Sequence, residues 1–304
     1  MSTTNAVADV RVERLTLTAA DGYTLAATRF HSPTPPRAHI VVGGATAVPQ
    51  DFYKRFAEHA ARRGFDVLTL DYRGIGRSAP PSLKGFRMDY LDWGRLDLAA
   101  GIQVMRTTGV PLYVVGHSYG GHALGLLPHP DWVHGAYTFA TGAGWHGWMP
   151  PLERIRVLFM WRVLGPVWTR LEGYLPWSRL GMGEDLPLDV YRQWRQWCRF
   201  PRYFFDDPGM REVTQRFAEV RFPIVAANAL DDAWASPASR DAFMAGYSRS
   251  AVSLVNIDPR QQRLGHIGHM GYFRSAAQPL WDEALDWFDG LASPRHSPPR
   301  PAAR

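Results

Sequence analysis

"LYVVGHSYGGHALGLL", Leu112 to Leu127, is the stretch on which the reading of the fold turns. An apolar run with strand composition ends at Gly116, Ser118 follows, and a helix-compatible run resumes at once. Gly116-His117-Ser118-Tyr119-Gly120 fits G-x-S-x-G, the strand-to-helix corner that lifts a serine hydroxyl above a sheet edge. So tight a corner forces unusual φ/ψ on the serine, and the positions two residues to either side must lack bulk. The hydroxyl then stands at a helix N-terminus, where the macrodipole favours developing negative charge. In a chain with 28 glycines the match alone can arise by accident, and the competing reading is a structural turn serine. The flanking strand and helix favour Ser118 as a nucleophile.

Outward from that corner, short β-rich runs alternate with helical ones, the pattern of a mainly parallel sheet covered by helices. "VRVERLTLTA" and "YTLAATRFH", joined by Asp21-Gly22, read as an N-terminal hairpin. Compact apolar runs follow at 39–44, 65–72, 111–118, 133–142, 222–229 and 253–258, each ending at a residue typical of the strand-to-loop corner of a buried parallel sheet. Phe52, Phe56 and Ala60 share a helical face, as do Leu98, Ile102 and Met105, and both stripes read as packing surfaces. The alternation breaks over about 75 residues, 146–220, which are rich in Trp, Arg and Pro. Trp161 with Trp168, and Trp194 with Trp197, are spaced to share a face. The expected organisation is a core from 1–145 and 221–292, a helical cap at 146–220 over the C-terminal edge of the sheet, and a Pro/Arg tail at 293–304.

Composition bounds the function classes. At 304 residues and 46 % apolar the chain can bury a large core. Its N-terminal stretch lacks the apolar segment of a secretory signal, and no apolar run is long enough to cross a bilayer. One cysteine, Cys198, forms no internal disulfide, so a reducing cytoplasm is the expected compartment and a packed thiol the expected role. Half of the +6 net charge falls on Arg295, Arg300 and Arg304, without stacked aromatics, which argues for a solvated tail over nucleic-acid binding. Neither stable membrane insertion nor any oligomeric state is signalled.

A serine hydroxyl is a poor nucleophile at neutral pH and needs a base oriented by an acid, in this fold in the order Ser, Asp or Glu, His. Beyond the seventh strand that leaves His266, His269 and His296, the last in the tail. His269, in "GHMGYF" before the final helix, is the preferred base and His266 the alternative. The sixth strand ends without a carboxylate, whereas "PIVAANALDDAWASP" ends the seventh in two. Asp231 is preferred as the acid over Asp232, which would then be a loop carboxylate or helix N-cap. Oxyanion donors are expected from the Tyr119 N–H and from the loop "GGATAVPQDF", where Gly43 and Gly44 permit close approach. Ala45 is the preferred second donor and Thr46 the alternative.

Five segments, 44–78, 116–121, 186–207, 227–237 and 267–273, together resemble the α/β-hydrolase superfamily. The likeness is closer to a bacterial branch of predicted, esterase- or lipase-like serine hydrolases. The resemblance implies an eight-stranded sheet with an antiparallel second strand and a Ser118–Asp231–His269 triad. Gly43-Gly44 stands where many relatives have His-Gly, which changes how that loop is anchored.

Rival readings of the same residues are weaker. "RGIGRS" (73–78) opens no helix and is followed by Pro80-Pro81, which favours a rim loop over a phosphate site. The His117/His122 and His266/His269 pairs sit in glycine-rich stretches, poor scaffolds for a metal, so neither metal nor cofactor is expected. Cap tryptophans read as core, with Trp145 and Trp148 as candidates to line a pocket. The expected activity is cleavage of a small-molecule carboxylic ester with an apolar acyl group through an acyl-serine. Acyl transfer with the same triad and a non-catalytic binding protein are the alternatives.

Overall fold

The structure, a computed structural model, describes residues 9–292, so the expected tail at 293–304 lies outside the described residues. Eight strands form one sheet: β1 (Arg11–Thr18), β2 (Thr24–His31), β3 (Ala38–Gly43), β4 (Phe65–Leu70), β5 (Leu112–His117), β6 (Gly135–Phe139), β7 (Ile224–Ala229) and β8 (Val252–Ile257). Their spatial order is β1-β2-β4-β3-β5-β6-β7-β8. β2 runs antiparallel to both β1 and β4, and every pairing from β4 to β8 is parallel. The Asp21-Gly22 hairpin forms as the sequence suggests, with Gly22 at φ 87°.

Strands β3 to β7 read as continuous apolar runs because both faces of the sheet are covered. Ile40, Val42, Val67 and Val115 point to one face, and Val41, Leu68 and Val114 to the other. The first face packs on α1 (Lys54–Arg62) through Phe56 and Ala60, and on α9 (Gln278–Ala292) through Leu280, Trp281, Ala284 and Phe288. These recur every three or four residues, the spacing that puts them on one helical stripe. The second face packs on α2 (Ala99–Met105), α3 (Tyr119–Ala123) and the segment between β6 and β7.

That segment is helical. It carries α4 (Pro151–Phe159), α5 (Gly165–Glu172), α6 (Leu188–Trp197) and α7 (Arg211–Phe217), and α8 (Pro237–Met244) follows β7. A π-turn over Met160–Leu164 joins α4 to α5 without a break. The widened turn stands just before Pro166, whose ring and missing N–H do not suit a regular helix interior. Trp161, Trp177 and Trp194 pack edge and face against one another, and Trp197 stacks on Tyr90. Trp161, Trp177 and Trp197 are core while Trp194 is partly buried against them, and Cys198 is buried with its thiol pushed up by desolvation. The "RGIGRS" loop is spent on structure: the Arg73 guanidinium bonds Asp97 at 2.8 Å and Asp21 at 2.6 Å, which ties the loop to the hairpin.

Candidate active site

The corner after β5 is built from main-chain contact. Ser118 sits at φ 51°, ψ −106°, a conformation L-residues rarely adopt. A Cβ on Gly120 would lie 2.0 Å from the Gly43 carbonyl oxygen, so only glycine lets the serine corner and the β3 loop touch. Ala140 and Tyr203, also at positive φ, line the same cavity as Ser118.

Ser118 Oγ is 3.1 Å from His269 Nε2. The carboxylate on the other ring nitrogen belongs to Asp232, with Oδ2 and Oδ1 at 3.0 and 3.1 Å from Nδ1. The expectation of Asp231 is therefore corrected. A turn closed by the Asp232 N–H on the Ala229 carbonyl carries the second aspartate inward, beneath Tyr272. Asp231 stays outside, where its two oxygens accept the N–H groups of Ile267 and Gly268 at 3.0 Å and its carboxylate pairs with His266 at 2.8 Å. It pins the loop that delivers His269 but does not touch the imidazole.

Asp232 is fully buried, which by itself opposes ionisation. The His269 charge and hydrogen bond, with the N–H groups of Ala235 and Trp234, outweigh that and hold its carboxyl below the ordinary value. The Tyr272 hydroxyl adds a further donor at 3.2 Å.

The loop after β3 brings a second correction. The Ala45 N–H donates to the Tyr53 hydroxyl at 2.7 Å, so it is not free to meet a substrate. Tyr53 donates in turn to His117 Nδ1 at 3.0 Å, and the protonated Nε2 of His117 donates to the His269 carbonyl at 2.9 Å. Burial first, then the neighbouring His269, lowers the His117 pKa to about 3 and keeps it neutral in this relay. The adjacent Thr46 lines the Ser118 cavity, its hydroxyl bonded to Tyr90. The N–H groups of Thr46 and Tyr119 make no hydrogen bond among the described residues. Tyr53 thus anchors a loop that has glycine at position 43. Tyr53 and Tyr272 escaped the sequence reading because neither residue type nor spacing marks a phenol that reaches across elements.

The cavity beside Ser118 is small, about 30 Å³, and its aromatic walls include Tyr90, Trp194, Tyr203 and Trp234. Trp145 and Trp148 lie elsewhere, packed on each other, with the Trp148 indole N–H on the Pro201 carbonyl. Two buried polar atoms of lining residues have no partner among the described residues, His122 Nδ1 and the Tyr203 hydroxyl. Burial lowers the His122 pKa to about 4, and its Nε2–H donates to Gly142. A wider cleft of about 690 Å³ lies on the outer side of Asp231, between Arg260 and His266, and contains neither Ser118 nor His269. Among the described residues no group of His, Cys, Asp and Glu is gathered for a metal, and no helix is long and apolar enough to cross a membrane.

Comparison with known proteins agrees with this frame. The family profile described as serine aminopeptidase, S33 (Hydrolase_4), matches residues 34–192. No curated protein matches the chain. Among solved structures it is similar to a soluble variant of monoglyceride lipase from Saccharomyces cerevisiae in complex with a substrate analogue, with 13 % identity, TM-score 0.67, and 97 % and 99 % of the two chains covered. It is also similar to a thermophilic esterase from Thermogutta terrifontis, at 16 % identity, TM-score 0.60, and coverage of 92 % and 100 %. A third is the acylaminoacyl peptidase of Pyrococcus horikoshii, at 13 % identity and TM-score 0.59, where 92 % of this chain matches 41 % of that one.

Proposed function

The chain belongs to the serine aminopeptidase (S33) family of the α/β-hydrolases, and from that premise we propose that this hydrolase cleaves carboxylic esters through an acyl-serine intermediate. The observation that carries the reading is one imidazole held between Ser118 Oγ and the Asp232 carboxylate, at 3.1 and 3.0 Å. Ser118 attacks the ester carbonyl while His269 Nε2 takes its proton, and Asp232 keeps the Nδ1 proton in place and balances the cation formed. The N–H groups of Tyr119 and Thr46 receive the oxyanion. His269 then protonates the departing alcohol, and water repeats the sequence on the acyl-serine.

An ester is favoured over a peptide with a free N-terminus by what the cavity lacks. An aminopeptidase must hold a protonated α-amine, and no carboxylate lines the cavity among the described residues. The small volume favours a short acyl group. The test is a graded series of p-nitrophenyl esters, run beside Ser118→Ala and with fluorophosphonate labelling. Turnover should peak at short acyl chains, and the substitution should lower kcat by about 10³-fold or more and abolish labelling. Folded wild-type protein that neither labels nor turns over any ester refutes the proposal.

A further inference from the structure

The helical rod from α4 through α5 is apolar on two sides. Its inner side, with Val157, Met160, Trp161 and Thr169, is buried against the body of the protein. On the outer side Leu152, Ile155, Phe159, Val163, Val167 and Leu171 are each 44–71 % exposed. They recur at steps of three and four residues, so they form one stripe, about 29 Å long at the rise of a helix. With the adjoining Leu180 and Met182 the stripe accounts for eight of the twelve large apolar side chains exposed among the described residues. Scattered exposed apolar residues are ordinary, but a contiguous face of this size marks a contact surface.

Charge identifies the occupant. Arg156, Arg162 and Arg170 are exposed on the same rod, and Arg162 and Arg170 make no ion pair among the described residues. The two acids of the rod are engaged, Glu153 by the Trp234 indole N–H at 2.8 Å and Glu172 by Arg179 at 2.8 Å. A two-fold dimer through this face would set like cations against each other. An anionic lipid surface satisfies both the apolar stripe and the arginines. The face also leads to the chemistry. A groove of about 350 Å³ beside Phe159, Leu164 and Met182 is closed by Trp234, and Trp234 is at once a wall of the Ser118 cavity and a neighbour of the His269 ring.

We propose that the outer face of the 151–172 rod docks this protein on an anionic lipid surface, lying in the headgroup region with its arginines on lipid phosphates. This mode needs no membrane-spanning helix, and it stands whether or not the substrate is an ester. The test is sedimentation of the full Ser118→Ala chain, chosen to suppress hydrolysis, with vesicles rich in phosphatidylglycerol and with vesicles of pure phosphatidylcholine. Binding should favour the anionic vesicles, weaken at about 0.5 M NaCl, and fall at least about tenfold in Ile155→Glu/Leu171→Glu. Both side chains are exposed, so the double variant should keep its thermal midpoint, and circular dichroism melting checks this. Absent binding, equal binding to both vesicle types, or binding undiminished in a folded double variant overturns the proposal. So does a dimer, seen by light scattering, that the same substitutions dissociate, because it assigns the face to a second copy.

Discussion

Replacing Asp232 by Asn separates the two neighbouring carboxylates. Asp232 Oδ1 accepts the N–H groups of Trp234 and Ala235, each at 2.9 Å, while Oδ2 faces His269 Nδ1 and the Tyr272 hydroxyl. An asparagine must keep its oxygen on the two backbone donors, because turning the amide would set N–H against N–H in a buried site. Its NH₂ then faces His269, so Nδ1 must become an acceptor and the ring proton moves to Nε2. That is the nitrogen 3.1 Å from Ser118 Oγ, and a protonated nitrogen cannot take the serine proton. The wrong tautomer in an intact geometry is worth about 10⁴ in kcat in a serine protease, or about 5.5 kcal/mol. A loss of 10³- to 10⁴-fold is the expected order here. Asp231→Asn disturbs only the loop bonds to Ile267 and Gly268 and the pair with exposed His266, and should cost no more than about tenfold. Steady-state hydrolysis of one short p-nitrophenyl ester by both variants decides. If Asp231→Asn collapses turnover while Asp232→Asn keeps it, the assignment of the acid is wrong.

Tyr53→Phe should leave the Ala45 N–H and His117 Nδ1 buried without partners, lowering stability by about 2–4 kcal/mol and kcat by about tenfold as the Thr46 loop loosens. Calorimetry and kinetics on one preparation check both, and an unchanged melting midpoint contradicts the relay. Acid lability is also expected. Unfolded, His117 and His122 take up protons near pH 6.5, but folded they do so only near pH 3 and 4. Between those values the unfolded chain binds more protons, so stability falls with pH, by about 2 kcal/mol per histidine at pH 5. Asp232, depressed, contributes its own loss only as pH falls below its ordinary value near 3.8. Thermal midpoints from pH 7 to 5 should therefore drop steeply, and the drop should shrink in His122→Gln, with buried His39, also lowered by desolvation, acting in the same direction; a flat profile counts against neutral burial.

Ser118 and His269 were legible because their signals are local: a glycine-flanked corner after a strand, and a histidine just before the last helix. Strands β3 to β7 were legible for the same reason, since burial on both faces writes an unbroken apolar run. The Asp231/Asp232 choice was not, because one step in a turn decides which side chain faces inward, and both neighbours look alike in composition. Ala45 failed as the oxyanion donor for a longer-range reason, a phenol eight residues on that claims its N–H. The stripe on α4 and α5 was equally hidden, because an apolar residue on a helix carries no mark of whether it faces protein or solvent.

The approach of Gly120 to Gly43 has a consequence for how such a site can change. At that crossing two peptide groups rest on each other at hard-sphere distance, with no intervening side chain to mutate. The spacing between Ser118 and the loop opposite is thereby insulated from side-chain changes elsewhere, and variation is left to the surrounding walls. Exchanges at Trp194, Tyr203 or Trp234 would reshape the cavity while that crossing keeps Ser118 and the β3 loop in register.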